Sequence, residues 1–142
     1  MRPTYENSSD IANEERVAQE LTELWGLDKW HRNPPKYPID ISFIKDGRII
    51  GFAEIKCRAV TRNQYDTYMI SVGKVMSAHS LTKATSLPCL LAVRWSDAIG
   101  WIDLEMTEPK YVGWGGRVDR KDSQDMEPVM HYDISEFKRV ES

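Results

Sequence analysis

Apolar residues change their spacing several times along the chain, and each change marks an element. From Ile11 to Trp25, the positions Val17, Ala18, Leu21, Leu24 and Trp25 share one face at helical spacing. Ser8, Ser9 and Asp10 offer N-caps, because their side-chain oxygens accept from the free amides of a first turn. Gly26 is a natural terminator. Glu14 lies three and four positions before Val17 and Ala18, so it continues the inward face, where a carboxylate is unexpected. Residues 1–9 read as a loose polar arm.

Asp28 to Pro38 is loop-like, broken by Asn33-Pro34-Pro35 and by Pro38. Ile39 to Ile44 and Arg48 to Lys56 then alternate as strands on either side of Lys45-Asp46-Gly47, a hairpin signal. Both runs are largely apolar on both faces, which predicts a central pair covered on both sides. Arg58 to Thr67 reads as a polar loop. Ser71 to Thr85 reads as a second helix capped by Ser71, with Val72, Val75, Met76 and His79 at helical spacing. Pro88 to Trp95 and Ile99 to Leu104 read as two strands around Ser96-Asp97.

The core is thus expected over about residues 12–104, with a tail over 105–142. In the tail, Gly113-Trp114-Gly115-Gly116 reads as a turn, Asp119 to Asp125 as a polar run, and Val129 to Ile134 as a last strand or edge. No repeat or interdomain linker is visible. The order of helix, hairpin, helix and hairpin predicts one α/β (α+β) domain over residues 1–142, with a central mixed sheet flanked by helices.

Composition narrows the class without deciding the function. The 142 residues are 41% hydrophobic and 29% charged, ordinary values for a soluble domain. Five tryptophans predict an aromatic contribution to the core. A net charge of −3 counts against a protein that coats nucleic acid, but leaves room for a local basic patch. Cys57 and Cys89 lack metal-ligand spacing and are expected to be buried, reduced thiols. The polar start lacks a signal core, and no run has the length of a membrane span, so a cytoplasmic protein is expected. No Walker loop, dinucleotide fingerprint or nucleophile elbow occurs, His31 and His131 have no ligand spacing with Cys or Asp, and His79 reads as a packed or surface histidine.

The chemistry concentrates on the first hairpin. Glu54 and Lys56 are two apart on one strand and point the same way. Whether Asp40 joins them depends on register. A two-residue turn at Asp46-Gly47 pairs Asp40 with Ala53 and turns Glu54 away. A three-residue loop, Lys45 to Gly47, sets Glu54 diagonally beside Asp40, and a bulge in either strand has the same effect. Two converging carboxylates with an ammonium beside them suit Mg²⁺ or Mn²⁺. A metal there activates water and neutralises phosphate charge, while Lys56 serves the water or the transition state.

Pro38-Ile39-Asp40 followed by Glu54-Ile55-Lys56 resembles the PD-(D/E)xK nuclease superfamily, which includes restriction enzymes, Holliday-junction resolvases and phage nucleases. Ile39 between proline and aspartate departs from the strict spelling. The resemblance implies a restriction endonuclease-like core and Mg-dependent hydrolysis of DNA, with Asp40, Glu54, Lys56 and Glu14 as catalytic residues. It implies Asp40, Glu54 and the Ile55 carbonyl as metal ligands, and a phage origin. Lys74, on the helix after the motif, matches a position that often faces the site in the family. A homodimer, in which two sites meet two strands, is also an expectation from the family.

Arg58, Arg62 and Lys74, with Tyr65 and Tyr68, are candidates for a groove that meets phosphates and bases. A catalytically silent nucleic-acid-binding or phage accessory protein on the same fold is the alternative.

Overall fold

The computed structural model describes residues 8–116 and 126–140. The expected N-terminal arm before Ser8 and the polar run 119–125 lie outside the described residues. Helix α1 (Ser8–Leu24) is followed by strands β1 (Lys29–Arg32), β2 (Ile41–Lys45), β3 (Arg48–Cys57) and β4 (Thr67–Ser71). Helix α2 (Val72–Thr85) leads into β5 (Cys89–Arg94) and β6 (Ile99–Asp103). β7 (Tyr111–Gly116), β8 (Met126–Asp133), a 3-10 turn (Ile134–Glu136) and β9 (Lys138–Arg139) complete the described chain.

A mixed six-stranded sheet has the order β1-β2-β3-β5-β6-β9, and a three-stranded sheet the order β4-β8-β7. β3 and β5 are parallel, joined through β4 and α2, whereas β2–β3 and β5–β6 are antiparallel. Strand alternation divides the core in two. Ala53 and Ile55 of β3 pack with Val17, Ala18 and Leu21 of α1. Phe52 packs on the other face with Val75 and Ala78 of α2 and with Tyr68, Ile70 and Tyr132 of the small sheet. The central pair is therefore covered on both sides, as its two-faced apolar pattern requires.

Local signals set the ends of the helices. Gly26 has φ +64°, left-handed as expected. Ser71 caps α2, its hydroxyl accepting from the Lys74 amide at 3.4 Å. Ser8 is already helical, so Ser9 and Asp10 lie within α1 rather than ahead of it.

Three segments and one side chain depart from the sequence expectation. β1 forms inside the expected loop; three of its four residues are exposed, and pairing with β2, rather than alternation of its own, makes it a strand. β4 joins α2 directly, so its buried Tyr68 and Ile70 are masked by the helical pattern that follows. The glycine-rich segment expected as a turn is β7, paired to β8. A Cβ at Gly115 would lie 3.2 Å from Val129 Cγ2 and 3.3 Å from Met69 Sδ, so there the glycine serves close approach. Cys57 is half-buried, unlike Cys89; both are free thiols.

Aromatic packing is extensive. Trp25 meets Phe43 and Trp101 edge-on, and Tyr68, Trp95 and Phe137 form a second edge-on group. Trp114 is the exception, lying exposed on β7.

Candidate active site

The β2–β3 hairpin sets the geometry. Its turn has two residues: Lys45 pairs with Arg48, and Asp46 (φ 53°) and Gly47 (φ 74°) are both left-handed. The three-residue loop is therefore not the one used. Pairing steps from Ile44–Ile49 to Phe43–Gly51, which leaves Ile50 as a bulge. That extra residue restores the match. Beyond it, Ile41 pairs with Ala53, so Asp40 stands opposite Glu54 on one face.

β2 ends at Ile41, and the Asp40 side chain continues its ladder. Asp40 Oδ2 accepts from the Ile55 amide at 2.9 Å. A strand residue directs its N–H and C=O to the same edge, so the Ile55 carbonyl also leaves toward Asp40.

Asn33 fixes the backbone around Asp40. Its amide donates to the Asp40 carbonyl (2.8 Å), its Nδ2 donates to the Ile39 carbonyl (2.9 Å), and its Oδ1 accepts from Ser42 (2.7 Å). Asn33→Ala is expected to lower stability by about 1–3 kcal/mol, because the partly buried Ser42 hydroxyl and Ile39 carbonyl lose their partner. Urea unfolding checks this, and an unchanged midpoint would refute it.

Glu54 is 1% exposed. Its Oε2 lies 3.4 Å from Lys56 Nζ and 3.4 Å from Lys74 Nζ. Its Oε1 is buried and has no hydrogen-bond partner among the described residues. Burial raises the Glu54 pKa and the Asp40 charge adds to this, against the lowering effect of the two lysines. For Lys56, burial alone lowers the pKa. Glu54 first, then Tyr68, Asp40 and Glu14, more than offset it, so Lys56 is held above its ordinary value and remains an ammonium. Lys74 also donates to the Pro38 carbonyl at 2.6 Å, tying the first turn of α2 to the loop ahead of Asp40.

Residues 1–140 match the sequence family described as "Phage putative PDDEXK endonuclease". The chain belongs to this phage PDDEXK endonuclease family. No curated protein matches it significantly. Among solved structures, it is similar to Hjc, a Holliday junction resolvase from Archaeoglobus fulgidus, with TM-score 0.57 and 16% identity over 90% of this chain and 92% of that one. It is also similar to D212, a nuclease from a fusselovirus, with TM-score 0.51 and 13% identity over 98% of this chain and 89% of that one. These likenesses establish the restriction endonuclease-like fold.

In this PDDEXK endonuclease, Asp40, Glu54, Lys56 and Lys74 come together. Glu14 is buried, as its position on the inward face implies. It approaches from the α1 side of the sheet, where its charge acts on Lys56 and Cys57. Sequence reading missed Arg32, which lies 3.8 Å from Glu14 and 3.6 Å from Glu15. Only recognition of β1 could have pointed to it.

Arg58 stands beyond Lys56, 5.1 Å above the Tyr68 ring. Arg62 donates to the Ile134 (3.0 Å) and Phe137 (3.4 Å) carbonyls. Both line a cavity with Tyr65 and Tyr68, whereas Lys74 does not.

The oxygens available to a metal are two carboxylates and a backbone carbonyl. No group of three His, Cys, Asp or Glu side chains placed to hold a metal ion occurs among the described residues. The donor chemistry fits a hard divalent cation, and the buried Glu54 oxygen without a partner is the kind of atom such an ion satisfies.

Proposed function

We propose that this PDDEXK endonuclease hydrolyses DNA phosphodiester bonds as a single nuclease domain, using Mg²⁺ or Mn²⁺ held by Asp40, Glu54 and the Ile55 carbonyl. The observation that carries the reading is the buried Glu54 carboxylate, with one oxygen unpartnered, facing Asp40 and flanked by two ammonium groups. A buried carboxylate oxygen without a partner is costly, and a site that binds a cation reverses that cost. The ion would acidify a bound water and offset charge on the phosphate.

Lys56, beside the Glu54 carboxylate, serves the attacking water and the phosphate oxygens. The Asp40 carboxylate holds its orientation through the Ile55 amide. Lys74 fixes Glu54 against the Pro38 loop. Glu14, braced by Arg32, supports Lys56 electrostatically from the α1 side. A homodimer would bring two such sites to two DNA strands. No helix among the described residues is long and apolar enough to cross a membrane, and the host cytoplasm is the proposed place of action.

The test is incubation with plasmid, single-stranded and branched DNA in Mg²⁺, Mn²⁺ or chelator. Cutting is expected with either metal and not with chelator. No cutting on any substrate, with no calorimetric metal binding, would replace this reading with that of a binding protein on a silent nuclease fold.

A further inference from the structure

Beside the cleavage site, a cavity of about 260 Å³ opens between β4 and the loop after β3. Its lining includes Arg58, Arg62, Tyr65, Tyr68, Trp95 and His131. It adjoins the site directly. Arg58 is two residues beyond Lys56 on the continuation of β3, and its guanidinium lies 5.1 Å from the centre of the Tyr68 ring. The volume lies below the roughly 300–1,000 Å³ typical of drug-sized ligand sites, and suits one heterocycle.

The chemistry of the walls is selective. The Arg58 guanidinium lies over the Tyr68 ring, Tyr65 stands at 64% exposure, and Trp95 and Ile134 supply apolar surface. Arginine planes and aromatic rings are the surfaces on which unstacked bases rest. Arg62 is tied to the Ile134 and Phe137 carbonyls and braces the wall. A phosphate alone would leave the aromatic surface unused, and a purely apolar ligand would forgo the Arg58 guanidinium plane.

We propose that this cavity receives an unstacked nucleobase adjoining the scissile phosphate, so that the enzyme favours DNA with an unpaired nucleotide beside the cut. This rests on the nuclease reading above. A base held in a duplex must first be unpaired and unstacked, at a cost that an already unpaired base avoids.

The test has two independent readouts. Oligonucleotides carrying 2-aminopurine at single positions in a short unpaired stretch are titrated with protein in chelator. The 2-aminopurine fluorescence is expected to change at one position, and Tyr65→Ala or Arg58→Met to remove that response and weaken binding by roughly five- to a hundredfold. Tyr65 and Arg58 are exposed, so both variants are expected to fold, which circular dichroism verifies. In Mg²⁺, an abasic residue at the responsive position is expected to slow wild-type cutting by a similar factor. Cutting that ignores the abasic residue, with fluorescence unaffected by both substitutions, would overturn the cavity proposal and leave the nuclease reading standing. A position-specific fluorescence response without metal-dependent cutting would keep base capture and remove the nuclease reading. No fluorescence response at any position would overturn base capture whether or not the protein cuts.

Discussion

Glu54→Gln is expected to abolish cutting, by about a thousandfold or more, and at the same time to stabilise the metal-free protein at neutral pH. The two effects have one cause. The carboxylate is buried beside Asp40, so its folded-state pKa lies above the unfolded value. The folded chain therefore holds the proton more tightly than the unfolded chain. The stability this confers is fully present below the unfolded pKa, and is lost as pH rises through the raised folded pKa. Glutamine removes the titration.

The variant's advantage in melting temperature is thus expected to be absent in acid, to grow as pH rises through that window, and then to level off. Calorimetric melts in chelator at several pH values check this. Adding Mg²⁺ is expected to raise the wild-type melting temperature and not the variant's, since a ligand that binds only the folded state stabilises it by mass action. A variant less stable than wild type in chelator at pH 8 would mean that the two lysine contacts outweigh burial. A variant that still cuts would remove Glu54 from the site.

Lys56→Met is expected to lower kcat by about 10²–10³-fold, the usual effect of removing one donor that acts on transition-state charge, with a much smaller change in KM. Methionine keeps the apolar stem of the side chain and removes the ammonium. The Lys74 ammonium remains near Glu54 Oε2, so Glu54 keeps a cationic partner and the fold is expected to hold. Steady-state kinetics on a single defined substrate provide the check. Activity within threefold of wild type would show that Lys56 only balances the Glu54 charge. Lys74→Met is expected to have the smaller effect on kcat, because its shortest contact is structural, to the Pro38 carbonyl.

Much of this site was legible before the fold was known. Period-two alternation is a property of the strand itself, so Glu54 and Lys56 had to share a face wherever β3 was placed. Asp46-Gly47 marked a hairpin because both residues tolerate left-handed backbone, but left the length of its loop open. Helical spacing turned Glu14 inward through nothing more than its own helix, and the two-faced apolar runs required layers on both sides of β2 and β3. These are short-range facts, fixed by dihedral preference and by residues within a few positions of one another.

The tertiary structure decided what depends on distant partners. The hairpin sequence allowed Asp40 to face Glu54 or to turn away. The choice was made by the bulge at Ile50, which lets Ile41, Ala53 and Ile55 meet α1 while Asp40 and Glu54 face α2. β1, with its Arg32, and β7, with its glycines, carry little strand pattern of their own and exist through their pairing partners. The grip of Asn33 on both sides of Asp40, and the convergence of Lys74 on Glu54, likewise join segments whose spacing in sequence carries no periodic signal. Pairing energy, burial and side-chain reach act between residues the fold brings together, and only the fold states which those are.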